Sequence, residues 1–396
     1  METVAIDAEW VETFKTISKE EINSQIEINK YDVSDDDEEQ QIREQRIKRM
    51  MRMQPLFASQ PRLEMICKDW SNDFVDSGFT SYAFRMIETT ESFKNKEDDL
   101  KYLINLCGYN LTELQLYDYP SSQIMPLIKS KCFNLTKLVL RFKQVESKDF
   151  DNVFSNMSQL ETLNIYWQCE NVALPMTLIK SLEQVPETLK ILGIVSEPER
   201  FSDPEDVPAS SVTSVLSPET EALMTVISNM KNLESVTIKL DYGFTDEFFI
   251  NLINNSKNLK LLNVRASNIT DKGLIAVNNL HQLEYFDLGL IETDSENKFI
   301  TDQSIQCLFN KEMSSLDISN CTQVTNSSII ELVKNLPNLQ SLHIKNTKAT
   351  IELVDEIAKL TKDRELSLII WISFKINDDY IFKINPKVRF VSVLSN

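Results

Sequence analysis

The chain has 396 residues, a formal net charge of −19 and 42% hydrophobic residues, with only six glycines. That length is long for one compact domain but ordinary for an elongated repeat protein carrying an extra N-terminal module. So few glycines, with no GxxxxGK and no GxGxxG, exclude the phosphate-cradling turns of nucleotide sites, and the acidic charge repels nucleic-acid backbones and anionic membranes.

The N-terminal METVAIDAEWVETFK is acidic and lacks the basic and apolar regions of a signal peptide. No apolar run approaches the roughly 18 residues of a membrane span. Six cysteines without a CxxC pair fit reduced thiols, so a cytoplasmic or nuclear protein is expected. Seven N-x-S/T sequons, from Asn110 to Asn326, read as by-products of an Asn-rich chain. Residues 1–41 form an acidic segment or linker. Its run DVSDDDEE (32–39) lacks the central Gly and ligand spacing of an EF-hand.

Residues 42–94 are expected to form a small helical module. IREQRIKRMMRM (42–53) is a charged helix candidate, and QPLFASQP separates it from RLEMICKDW (62–70). In the latter Leu63, Ile66, Cys67 and Trp70 fall at i, i+3, i+4 and i+7, one face of an amphipathic helix.

From residue 95 onward the pattern L-x-x-L-x-L recurs as LTELQL (111–116), LTKLVL (135–140), LETLNI (160–165), LKILGI (189–194), LESVTI (233–238), LKLLNV (259–264), LEYFDL (283–288), MSSLDI (313–318) and LQSLHI (339–344). Weaker copies follow as ELSLII (365–370) and VRFVSV (388–393). All but one of the spacings between starts lie between 23 and 30 residues. This is the period of a leucine-rich-repeat solenoid, an α/β fold of about 10–11 repeats here, curved, with the strands on its concave face. Within each motif the apolar positions alternate, so one strand face enters the core and the other meets solvent. A helix such as DKGLIAVNNL (271–280) follows, with Leu274, Val277 and Leu280 on one side. Thr270-Asp271 supplies its N-cap, and FTDEFF (244–249), FITDQSI (299–305) and VTNSSI (324–329) repeat that cap.

The single long spacing, 44 residues, contains SEPERFSDPEDVPASSVTSVLSPE (196–219), whose four prolines and acidic and serine residues mark a disordered insertion. IETDSENKF (291–299) reads as an ordinary loop. His281 is expected in a turn that opens a repeat, and His343 projecting from a strand. Neither lies beside a nucleophile in any catalytic motif, and two histidines without a cysteine cluster hold no zinc site. No enzyme activity, metal or cofactor is expected.

Cys321 in LDISNCTQVT, NITDKGL (268–274), CFNL (132–135) and CGYNL (107–111) resemble the cysteine-containing subclass of leucine-rich repeats, best known from F-box/leucine-rich-repeat proteins. Most repeats here lack the Cys or Asn that closes the turn after the strand. F-box modules commonly end in a Val-Cys-Lys-x-Trp-like stretch, and Ile66, Cys67, Lys68 and Trp70 stand at the matching positions. The family's Leu-Pro-x-Glu opening has no counterpart. The resemblance implies a Skp-type adaptor and cullin held through Leu56, Leu63, Ile66 and Trp70, and a protein substrate on the concave face. The chain would then be the substrate-recognition subunit of a Skp–cullin–F-box type ubiquitin ligase. The alternative is a leucine-rich-repeat scaffold or decoy that has lost adaptor binding.

The residues just after each motif form one row on the solvent-facing strand surface. Among them Tyr117, Arg141, Tyr166, Lys239, Arg265, Lys345 and Trp371 are basic or aromatic, the types enriched at interface hot spots. An adjacent row holds Gln115, Asn164, Asn263, Asp287, Asp317 and His343.

Overall fold

The computed structural model describes residues 81–85, 100–101, 103–167, 174–185, 187–196, 218–239, 245–265, 268–290, 296–374 and 387–392. Residues 1–80, and with them Leu56, Leu63, Ile66 and Trp70, lie outside that set, as do 197–217 of the expected insertion.

Each L-x-x-L-x-L motif becomes one strand of a parallel sheet. The strands are β1 (Ser81–Arg85), β2 (Glu113–Ser121), β3 (Lys137–Gln144), β4 (Thr162–Trp167), β5 (Ile191–Ser196), β6 (Ser235–Lys239), β7 (Leu261–Val264), β8 (Tyr285–Asp287), β9 (Asn297–Thr301), β10 (Ser315–Asp317), β11 (Cys321–Gln323), β12 (Ser341–His343), β13 (Leu368–Ile372) and β14 (Val388–Ser392). Twelve of them pair in sequence order, from β1 through β8, then β10, β12, β13 and β14, while β9 and β11 form a separate two-stranded sheet. Consecutive parallel strands need a return connection between them. The returns hold α1 (Met125–Lys131), α2 (Met176–Leu182), α3 (Pro218–Ser228), α4 (Asp246–Asn255), α5 (Asp271–Ile275), α6 (Asp302–Ile305), α7 (Asn326–Asn335) and α8 (Glu352–Leu360), with short 3-10 turns elsewhere. The result is a leucine-rich-repeat solenoid.

The core lies between sheet and helices and is built from the motif leucines. Leu111, Leu114 and Leu116 are fully buried, as are Leu135, Leu138 and Leu140 one repeat on. Leu274, Val277 and Leu280 share the expected inward side. Each such side chain contributes roughly 1.5–3 kcal/mol, and only stacked neighbours supply the surface that buries it. Cys107, Cys132 and Cys321 are buried in the same layer. Burial, with Cys107 nearby, pushes the Cys132 thiol up to about 12, and burial raises Cys321 further.

The threonine caps hold at Thr245, Thr270, Thr301 and Thr325, whose hydroxyls accept from helical N–H groups two or three residues on. The residue after each cap reaches the next repeat. Asp246 accepts from the Thr270 N–H and hydroxyl, Asp271 from those of Thr301, and Asp302 from those of Thr325. Ser304 and Ser328 add a hydroxyl to Asp271 and Asp302. Burial alone would raise these two carboxyls, but the hydrogen bonds outweigh it and hold both below the usual range. The Thr-Asp dipeptide is therefore a cap within one repeat and a rivet between two.

Four expectations change. β1 pairs with β2 from Ser81↔Glu113 to Arg85↔Tyr117, so the sheet begins inside the span assigned to the helical module. No L-x-x-L-x-L marks it, because parallel pairing at a sheet edge requires backbone groups rather than that motif. Ser196 ends β5 and Pro218 opens α3, so both edges of the expected insertion belong to regular elements. In 291–299, Asn297–Thr301 is a strand: Asn297 is fully buried, donates to the Ile269 carbonyl and accepts from the N–H groups of Phe299 and Ile300. The last two motifs also shift. Leu342 pairs with Ile370 and Ile370 with Phe390, so ELSLII moves by two residues and VRFVSV by one. Val388 and Phe390 are the buried residues of β14. Here Arg364 takes up the end of α7, its guanidinium donating to the carbonyls of Val333, Leu336, Pro337 and Leu339.

Candidate protein-binding face

The sheet surface opposite the helices carries the two rows expected from the motif. In the first row Arg141 pairs with Tyr166, Tyr166 with Val195, and Val195 with Lys239. All four side chains are partly exposed. Arg265 continues the line, its N–H donating to the Ile238 carbonyl, but only 7% of its surface is exposed. Tyr117 stands apart: β2 shifts register between Leu116 and Tyr119, and Tyr117 pairs with Arg85 of β1. Its hydroxyl donates to Gln115 Oε1 at 2.7 Å.

Beyond β7 the row loses its reach. Gly289 has no side chain and Ser319 is buried, so Lys345 is separated from Lys239. Trp371 does not belong to this row, because the two-residue shift of the last motifs places it opposite His343. The structure thus brings Arg141, Tyr166 and Lys239 together with Arg265 behind them, and leaves Tyr117, Lys345 and Trp371 elsewhere.

The second row gains what the first loses. Asn263 pairs with Asp287, Asp287 with Asp317, Asp317 with His343 and His343 with Trp371. The imidazole stacks on the indole, with ring centroids 5.2 Å apart and planes 12° from parallel. His343 Nε2 lies 3.1 Å from the Ser341 hydroxyl, and Nδ1 is 3.7 Å from Asp317 Oδ2. Asp317 also accepts from the Ser319 N–H at 2.8 Å. Burial raises the Asp317 carboxyl despite that bond and the nearby Lys345 and Lys239. Burial and then Lys345 lower His343, against the pull of Asp287. Both shifts run toward the neutral forms, and the imidazole–indole stack gives this corner an aromatic surface. His281, by contrast, is exposed in the turn after Leu280.

A further charge pattern runs along the strand entries, at the second position of each motif. Lys190 Nζ lies 2.8 Å from Glu161 and Lys260 Nζ 2.8 Å from Glu234. Such solvent-exposed pairs are screened by water and contribute little to stability.

The His343–Trp371 stack escapes sequence reading because strand pairing, not motif spacing, creates it. A signal existed in the period-2 alternation of LIIWI, which admits either of two registers with the same residues inward. Among the described residues no group of His, Cys, Asp and Glu is arranged to hold a metal, and no helix is long and apolar enough to cross a membrane.

No family model matches the chain. Among solved structures it is similar to one described as the Rad7 and Elc1 complex in yeast, with 16% identity, a TM-score of 0.48, and coverage of 97% of this chain and 92% of that one. A leucine-rich-repeat protein of Leptospira interrogans is similar at 19% identity and a TM-score of 0.43, over 75% of this chain and 69% of that one.

Proposed function

We propose that the chain is a protein-binding module, with the solvent face of the sheet as its binding surface. The observation that carries this reading is the in-register line Arg141–Tyr166–Val195–Lys239. A row of four partly exposed side chains, two basic, one aromatic and one aliphatic, held in register by a sheet presents preorganised contacts, which lowers the ordering cost of binding. Within this reading the chain serves as a substrate receptor of a Skp–cullin–F-box type ubiquitin ligase. Its N-terminal segment would hold the adaptor, the sheet the substrate, and proximity would raise the effective concentration of substrate at the ligase. Support for that finer part comes from Ile66, Cys67, Lys68 and Trp70 at the F-box-like positions, and from Leu56 and Leu63 beside them. The protein would work in the cytoplasm or nucleus.

Co-purification of the full chain with a Skp-type adaptor tests the ligase role. Loss of that association on joint substitution of Leu63, Ile66 and Trp70 by Ala supports it. No association with the unaltered chain favours the scaffold or decoy. Separately, capture of partners by the Arg141→Ala, Tyr166→Ala and Lys239→Ala triple variant should be depleted relative to the unaltered chain. An unchanged partner set would refute the face as the binding surface.

A further inference from the structure

We propose that the solvent face over β12–β14 docks an extended segment of a protein partner whose alternate side chains read acidic, bulky apolar, acidic. The apolar side chain would lie against Trp371, and the two carboxylates would meet Arg389 and Lys345. This rests on the sheet face being a binding surface, and it sets a second contact apart from the Arg141–Lys239 line.

The first ground is an apolar corner. Pairing puts Ile369 between Ser341 and Arg389, and Trp371 between His343 and Val391. Ile369 is 37% exposed, and Trp371 and Val391 are partly exposed. Three apolar side chains thus share one patch of the face, whereas the second row leading to it runs Asn263, Asp287, Asp317. The His343 ring, stacked 5.2 Å away on one side of the indole, limits the rotamers open to Trp371, so a partner that covers it orders less. Trp is also among the residue types enriched at interface hot spots.

The second ground is geometry. Arg389 pairs with Ile369, and Trp371 stands two residues on; Trp371 pairs with His343, and Lys345 stands two residues on. Arg389, Trp371 and Lys345 therefore lie on one diagonal, each step crossing one strand and advancing two residues. Strand spacing and rise make each step about 8 Å. In an extended peptide side chains i and i+2 are about 7 Å apart on one side, and the long Arg and Lys side chains take up the difference.

The third ground is bonding capacity. Among the described residues the Arg389 guanidinium and the Lys345 ammonium make no ion pair or hydrogen bond, and the Trp371 indole N–H donates to nothing. Lys345 lies in the field of Asp317, outside ion-pair distance, and burial drives that carboxyl toward its neutral form. A segment with one carboxylate on each side of an apolar anchor meets complementary charge here. A chain of −19 turns away longer acidic runs.

The test displays a random twelve-residue peptide library to the immobilised full chain, then measures the enriched peptides in solution. Enrichment of Asp/Glu at both sides of a bulky apolar residue, each two positions from it, is expected. Selection on the Arg389→Glu variant should replace one of the two acidic positions, always the same one, by Lys or Arg. Selection on Lys345→Glu should replace the other. Trp371→Ala should weaken the peptides enriched on the unaltered chain about tenfold or more. Thermal melts report the fold of each variant, and if Trp371→Ala melts early the two charge-swap selections decide alone. Peptides without the pattern, no enrichment, an unchanged pattern on both charge variants, or affinities unmoved in a folded Trp371→Ala overturn the proposal. The same peptides should still bind the Arg141→Ala, Tyr166→Ala, Lys239→Ala variant. Their loss there would move the site to the other line, overturning this proposal while leaving the sheet face as the binding surface.

Discussion

Replacing Asp302 by Ala removes one rivet between repeats. Three hydrogen bonds end on this carboxylate: from the Thr325 N–H at 2.7 Å, the Thr325 hydroxyl at 2.6 Å and the Ser328 hydroxyl at 2.6 Å. The consequences differ. Ser328 is fully buried, yet its hydroxyl also lies 3.2 Å from the Thr325 carbonyl and can turn to it. The Thr325 hydroxyl still accepts from the Ser327 N–H. Among the described residues the Thr325 N–H has no second acceptor, so it is stranded at a partly buried position. Hydrogen bonds to a charged group contribute about 1.5–3 kcal/mol and a stranded donor costs about 1–3 kcal/mol, so Asp302→Ala is expected to destabilise by roughly 2–4 kcal/mol. Asp302→Asn should cost about 1 kcal/mol or less. The next repeat explains why: Asn326 stands at the same position, its Oδ1 accepting from the Thr350 N–H at 2.9 Å and its amide donating to the Thr350 hydroxyl at 2.7 Å. Urea unfolding gives the difference from the shift in midpoint, and amide exchange at Thr325 reports the local opening that a solenoid permits. The pH dependence supplies a second reading. Because the folded carboxyl is held low, its contribution is present above the unfolded value near about 3.9 and fades as pH falls through the folded one. The gap between wild type and Asp302→Ala should therefore close in acid. Equal costs for Ala and Asn, or a gap that widens in acid, would refute the rivet.

Asp317→Asn should behave oppositely. Burial raises this carboxyl, so its favourable state lies below the unfolded value and is lost as pH rises through the folded one. The amide keeps an acceptor for the Ser319 N–H, and the variant should have a higher urea midpoint at pH 7 that converges with wild type below about pH 4. A lower midpoint at pH 7 contradicts this. Gly289→Ala should cost about 1–2 kcal/mol, because φ is +62° and a Cβ would sit 3.0 Å from the Val264 carbonyl oxygen. Gly289→Asn should lose less, as Asn320 and Asn346 hold positive φ after β10 and β12; equal melting temperatures for the two variants would count against the backbone argument. Trp371→Ala uncovers His343, whose ring should then titrate closer to about 6.5 by NMR, and an unchanged titration would show that the stack does not bury it.

The site was legible to different depths along the chain. For β3 to β6 the residue after each motif is the residue facing solvent, so Arg141, Tyr166 and Lys239 could be placed beside one another from spacing alone. Arg265 occupies the expected position yet is buried, since exposure depends on neighbours that the motif does not specify. Asn263 shows the same limit: its position was visible, but not that its Oδ1 is buried with no hydrogen-bond partner among the described residues. The seven sequons illustrate the reverse case, where residues that suggest surface modification have structural work. Asn320 is 5% exposed, and its amide donates to the Leu290 carbonyl.

By itself the sequence determined the solenoid, the inward leucines and the threonine caps. Those features follow from local periodicity and from the hydrogen-bonding needs of a helix start, both written within six or seven consecutive residues. Tertiary structure alone decided which side chains meet. The bonds from Asp302 to Thr325, the stack of His343 on Trp371 and the start of the sheet at β1 all join residues at least one repeat apart. A period of two fixes which face a residue takes, but sliding a strand by two residues preserves that face. Backbone pairing between whole strands removes the ambiguity, and it set Trp371 beside His343 instead of Lys345.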